Sequence, residues 1–111
     1  MTFEEAAEAA LAFRDEREWS QFHNPKDLAI SLSLEASELL ETFQWSGTDL
    51  KVASKKDHLA EELADVLIYS IYLAKETGID IPQAISDKLA LNAKKYPVEK
   101  AKGSSKKYDK L

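Results

Sequence analysis

An all-α bundle is predicted for this chain on three grounds. Apolar residues recur at helical spacing over four long stretches, no stretch alternates as a strand would, and the turn-forming residues fall between the helical patterns. Thr2 and Glu5, three positions apart, make a capping box that opens a first helix running to about Glu18. An aromatic connector, Trp19-Ser-Gln-Phe-His-Asn-Pro, follows. Asn24 as N-cap, Pro25 at the first helical position and Asp27 in the first turn start a second helix that continues to Gln44. Ser46-Gly47-Thr48-Asp49 reads as a turn, and the segment Leu50 to Lys56 leads into a third helix from about Asp57 to Lys75, closed by Gly78. Asp80 with Gln83 caps a fourth helix. Pro97 ends it, because the residue before a proline, here Tyr96, is pushed out of helical backbone.

Composition bounds what such a protein does. At 111 residues the chain makes one domain, with enough uncovered surface that self-association is expected. Hydrophobic residues at 44% and charged residues at 32% describe a soluble globular protein, and no apolar run approaches the roughly 18 residues of a membrane span. Met-Thr-Phe-Glu-Glu has neither the basic region nor the apolar stretch of a signal peptide, so a cytoplasmic protein is expected. The absence of cysteine excludes disulfides and thiolate ligands, leaving oxygen donors and two histidines, His23 and His58, for any metal.

The net charge of −5 conceals an asymmetry. Residues 93–111 hold seven lysines against Glu99 and Asp109, a net of +5, which leaves −10 for residues 1–92. An acidic body of that size argues against nucleic acid as a partner, since phosphate neutralisation needs clustered Lys or Arg on the folded surface. The expected organisation is a helical domain over residues 1–97 and a basic, partly flexible tail over residues 98–111.

Two acidic pairs carry the chemistry: Glu35 with Glu38, and Glu62 with Asp65. Residues three apart share a helix face, so two packed helices bearing such pairs aim four carboxylates at one point. On a helical wheel Glu35 borders a stripe of Leu28, Leu32, Leu39 and Phe43, while the helix around Glu62 and Asp65 is apolar almost all round. A solvated face is therefore excluded, because burying an unpaired carboxylate costs several kcal/mol. Two means of neutralisation remain open: lysine or arginine partners, with Lys88 or Arg14 placed to serve, or metal ions. A sulfur-free carboxylate set suits Mg²⁺ or Mn²⁺, and Mg²⁺ commonly completes its shell with substrate phosphates. Hydrolysis of a phosphate ester or anhydride is the chemistry implied. His58 lies one turn before Glu62, but a zinc pair there lacks the second histidine of a metalloprotease helix.

The segments around these acids bear a family resemblance. Leu34-Glu-Ala-Ser-Glu-Leu-Leu-Glu-Thr-Phe-Gln-Trp45, Glu61-Glu-Leu-Ala-Asp-Val-Leu-Ile-Tyr69 and Asn92-Ala-Lys-Lys-Tyr-Pro97 resemble the MazG-type nucleotide pyrophosphohydrolases, above all their small, dCTP-pyrophosphatase-like branch. The likeness spans roughly residues 14–103. A single acidic pair is common on helices, whereas two in order, joined by Phe-Gln-Trp, Asp-Val-Leu-Ile-Tyr and Lys-Tyr-Pro, are specific. The resemblance implies a MazG-type bundle of four to five helices assembling as a homodimer or homotetramer. It implies Mg²⁺-dependent cleavage of a nucleoside triphosphate between the α and β phosphates, to monophosphate and pyrophosphate, in nucleotide-pool housekeeping, with Mn²⁺ as the other candidate ion.

Carried over by position, the resemblance makes Glu35, Glu38, Glu62 and Asp65 the catalytic metal ligands, with Glu61 outside the set. It assigns His23, Trp45 and Tyr69 to the nucleobase, and Lys88, Asn92, Lys95 and Tyr96 to phosphate and sugar. Each has a plainer alternative. Trp19, Phe22 and Trp45 also suit a core or an interface, His23 a helix cap, and Lys88, Asn92 and Lys95 a solvated stripe on the fourth helix. The rival from another class is a non-catalytic helical assembly or adaptor protein whose acids pair with lysines.

Overall fold

A computed structural model describes all residues, Met1–Leu111, as helices and turns without a strand. Five α-helices run in order: α1 Phe3–Glu16, α2 Pro25–Glu41, α3 Lys56–Thr77, α4 Ile81–Lys95 and the single turn α5 Val98–Ala101. Short 3-10 helices at Trp19–Phe22, Ala53–Lys55 and Tyr108–Lys110 join or follow them. The all-α expectation holds. No helix is long and apolar enough to cross a membrane.

The helix starts lie where local cap chemistry places them. The Thr2 hydroxyl accepts from the Glu5 amide at 3.1 Å and the Glu5 carboxylate accepts from the Thr2 amide at 3.3 Å, completing the capping box. Asn24 Oδ1 accepts from the Asp27 amide, and Asp80 Oδ1 from the Gln83 amide, each at 2.9 Å. Gly78 ends α3 at φ 71°, a left-handed backbone that glycine adopts without a Cβ penalty.

Two ends differ from the sequence expectation. α1 stops at Glu16, where the chain turns and Glu18 goes left-handed at φ 54°. α2 stops at Glu41 instead of Gln44. Beyond it Phe43, Gln44 and Ser46 donate three residues back, to the carbonyls of Leu40, Glu41 and Phe43 at 3.0–3.1 Å, and Trp45 adopts φ 65°. The apolar pattern runs on through Phe43, but the backbone has already unwound into successive tight turns. Val52, a β-branched residue at φ 43°, is held there by burial to 2% exposure and by Asp49 Oδ1, which accepts from its amide at 3.0 Å.

Contacts divide the chain into two units, Met1–Gly78 and Ile79–Leu111. In the first, α3 packs along α2 and also takes α1. Leu28 of α2, Val52 of the loop and Ile71 and Tyr72 of α3 are its buried apolar residues. Truncating a core leucine such as Leu28 typically costs about 2–5 kcal/mol. Arg14 is buried too, at 4% exposure. It donates to Glu76 on α3 at 2.9 Å and to Asp15 at 3.0 Å, fastening α1 to the C-terminal part of α3. Much apolar surface stays uncovered, with Trp45 93%, Leu50 81% and Leu40 72% exposed. In the second unit the Tyr108 ring meets Tyr96 edge-on at 6.1 Å, and the Lys95 ammonium stands 5.0 Å from its centroid.

Candidate metal centre

The third and second helices bring both acidic pairs to one place. One carboxylate oxygen from each of Glu35, Glu38, Glu62 and Asp65 lies within 4.8 Å of the others. The pairs converge because each occupies i and i+3 on the facing sides of α2 and α3. Glu35, Glu62 and Asp65 are half-buried and Glu38 is exposed. Glu61, adjacent in sequence, is exposed and outside the group.

The electrostatics of this quartet are unbalanced. Loss of solvent, then the neighbouring Glu38 carboxyl, then the charges of Asp65 and Glu62 push the Glu35 carboxyl up to about 7. Burial and Glu38 also raise the Glu62 carboxyl, with His58 opposing. Burial and the charges of Glu35, Asp65 and Glu38 raise the Tyr69 phenol. Two buried carboxylate oxygens, Glu35 Oε2 and Glu62 Oε2, have no hydrogen-bond partner. Arg14, offered by the sequence as a partner, is committed to Asp15 and Glu76. Within Met1–Gly78 no lysine or arginine pairs with any of the four acids. Four converging oxygen donors with unpartnered buried lone pairs and no ammonium or guanidinium beside them fit a hard divalent cation.

Beside the quartet opens an apolar cavity of about 600 Å³ between α1 and α3. Ala6, Ala9, Ala10 and Phe13 line it from α1, Trp19 from the connector, and Asp65, Tyr69 and Tyr72 from α3. Asp65 therefore belongs to both the acidic cluster and the cavity wall. Phe13, Trp19, Tyr69 and Tyr72 give it aromatic walls.

Of the residues nominated for the base, Tyr69 lines this cavity. His23 does not; its ring lies 5.1 Å from that of Tyr72, tilted by 34°, with Nδ1 buried and unpartnered. Burial and the charge of Arg14 lower its pKa, which favours the neutral ring. Trp45 stands in solvent on the turn after α2. In the second unit Lys88 and Lys95 are exposed on α4, Asn92 is half-buried between them in sequence, and Tyr96 is the C-cap. The cavity itself was not anticipated. Its signal was the spacing of Ala6, Ala9, Ala10 and Phe13, a small-residue face on α1 closed by one aromatic ring.

Comparisons with known proteins place the chain among relatives of one family. The MazG-like family model matches residues 30–111. The chain is 39% identical to dCTP pyrophosphatase 1 of Mus musculus over 115 aligned residues, covering 99% of this chain and 68% of that protein. It is 38% identical to dCTP pyrophosphatase 1 of Homo sapiens with the same coverage. Among solved structures, a pyrophosphatase from Archaeoglobus fulgidus superimposes with a TM-score of 0.77 at 42% identity, over 85% of this chain and 91% of that one.

Proposed function

This chain belongs to the MazG-like family, and we propose that it is a nucleoside triphosphate pyrophosphohydrolase that cleaves between the α and β phosphates. The products are a monophosphate and pyrophosphate. The observation that carries this reading is the quartet of Glu35, Glu38, Glu62 and Asp65, gathered within 4.8 Å beside a cavity that shares Asp65. Relatives that are dCTP pyrophosphatases favour dCTP, or a close pyrimidine deoxynucleotide, as substrate.

Glu35, Glu38, Glu62 and Asp65 would hold Mg²⁺, or Mn²⁺ in its place. Such an ion supplies charge neutralisation on the phosphates and a more acidic water. The protein's own groups do the positioning. Trp19, Tyr69 and Phe13 offer ring faces on which a base stacks, and the alanines of α1 leave room for it. His23, which lies off this cavity, and Trp45, which stands in solvent, remain base candidates on the family resemblance alone, as Lys88, Asn92, Lys95 and Tyr96 do for phosphate and sugar.

Assembly as a homodimer or homotetramer completes the proposal, since Trp45, Leu50 and Leu40 form apolar surface too exposed for an isolated protomer. The deciding experiment measures pyrophosphate release from a panel of nucleoside triphosphates, with Mg²⁺ and with chelator. Stoichiometric monophosphate and pyrophosphate, with dCTP or a related pyrimidine nucleotide cleaved fastest, is the expected result. No metal-dependent turnover of any nucleotide would sink the enzyme reading and leave the quartet to a structural role.

A further inference from the structure

Tyr72 brings a hydroxyl to the cavity with its only hydrogen already spent. It donates to the Ala10 carbonyl at 2.9 Å, and both residues line the cavity. A phenol has one hydrogen to give and still accepts through its oxygen, so Tyr72 offers the cavity an acceptor and no donor. Burial, foremost, pushes the phenol's pKa up, which keeps that hydrogen in place near neutral pH. Packing fixes the side chain, which is 4% exposed. The other polar side chains on the wall lack this bias. The Tyr69 hydroxyl is not committed in this way and rotates to give or to accept. Asp65 belongs to the quartet. The Trp19 indole N–H lies in the plane of its ring, out of reach of a base stacked on the ring face.

We propose that Tyr72 Oη is the acceptor that selects nucleobases carrying an exocyclic amine, so that cytosine is favoured over uracil and adenine over hypoxanthine. An amine donates to this oxygen. A keto group in the same place sets lone pair against lone pair in an apolar cavity and leaves both unpaired. An unpaired buried group of this kind lowers kcat/KM by about tenfold. A volume of about 600 Å³ admits either ring size, so the selection acts on the amine and not on the size of the base. This inference rests on the cavity being the base site of a nucleotide hydrolase, and it concerns which bases that site takes.

The test measures kcat/KM with Mg²⁺ on the whole chain and on Tyr72→Phe, for two substrate pairs, dCTP with dUTP and dATP with dITP. Each pair exchanges an exocyclic amine for a keto oxygen on the same ring system, sugar and triphosphate. The wild type should favour the amine in both pairs by about tenfold, and Tyr72→Phe should remove most of that ratio. A variant that merely loosens α1 slows both members of a pair alike, so the ratio isolates the acceptor from the fold. A measurement on the wild type alone covers a variant that folds poorly. The deoxynucleoside triphosphate of 2-pyrimidinone, which has neither amine nor keto group at position 4 and keeps the ring nitrogen of cytosine, should be about tenfold poorer than dCTP. Equal use of dCTP and the pyrimidinone nucleotide, or ratios that persist in a folded Tyr72→Phe, overturns the role of Tyr72 while leaving the hydrolase standing. No pyrophosphate from any of these nucleotides overturns the hydrolase reading and this inference with it.

Discussion

The hydroxyl of Tyr72 on α3 donates to the backbone carbonyl of Ala10 on α1 at 2.9 Å. It closes the floor of the cavity, which both residues line. Tyr72 is in turn gripped by its surroundings: the His23 ring at 5.1 Å, the Tyr69 ring edge-on at 5.8 Å and the Arg14 guanidinium 5.7 Å from its centroid. Tyr72→Phe keeps the ring and removes the hydroxyl that ties it to α1. A typical intramolecular hydrogen bond contributes about 1 kcal/mol. For a domain of this size that lowers the melting temperature by about 4 °C, and the loosened α1 wall should raise KM for nucleotide more than it lowers kcat. An unchanged melting temperature would show that the bond does not hold the helices together.

Neutralising one acid of the quartet should separate activity from stability. Glu38→Gln or Asp65→Asn removes a candidate metal ligand and also one of the charges that raise the Glu35 carboxyl. Turnover with Mg²⁺ should fall about 100-fold or more, since even contacts one step removed from a metal are worth 10- to 100-fold. In chelator the same variants should melt no lower than the wild type, because a mutual repulsion has been relieved. Activity that survives both substitutions places the centre elsewhere.

How much of this was readable from residues alone follows from how local each signal is. The caps at Thr2, Asn24, Asp80 and Gly78 involve groups three or four positions apart, and all four were legible. The convergence of the two acidic pairs was legible as well, because helical spacing fixes which face each pair occupies. The end of α2 was not: Phe43 continues the apolar period while the backbone turns after Glu41. Hydrophobic spacing reports the face a residue shares, and is blind to the point where a helix tightens into turns. The cavity was hidden for a different reason. Ala6, Ala9 and Ala10 read as helix-forming residues, and their small size becomes a feature only once α3 stands opposite. The same holds for Trp19 on the connector, whose place in the wall depends on α1 and α3 together.

The raised Glu35 carboxyl makes stability depend on pH with a definite sign. In the folded protein this group keeps its proton up to about 7, against 4.5 for an ordinary glutamate. Between those values the folded state holds a proton that the unfolded chain has released, so stability falls as pH rises across that window. In chelator the melting temperature should therefore be higher near pH 5 than near pH 8, and Glu35→Gln should flatten the slope. Mg²⁺ competes with the proton for the same oxygens, so it should stabilise the protein more at pH 8 than at pH 5. A melting temperature that climbs with pH in chelator contradicts the assignment.

Trp19 is the sharpest test of the cavity as a base site, because it lies on the wall without belonging to the quartet. Its ring meets Phe13 edge-on at 5.8 Å and remains 43% exposed, so one face is open to the cavity side or to solvent. Loss of a base-stacking ring typically costs about 1–3 kcal/mol. Trp19→Ala should thus raise KM about 5- to 150-fold, with Mn²⁺ or Mg²⁺ binding in the absence of nucleotide unchanged. Trp19→Phe keeps a π face and should recover most of the affinity. Were the ring needed only for packing, the alanine variant would instead lower the melting temperature while KM for the folded fraction stayed at the wild-type value. Measuring KM and the melting temperature on the same preparations therefore assigns the residue to the nucleotide or to the fold.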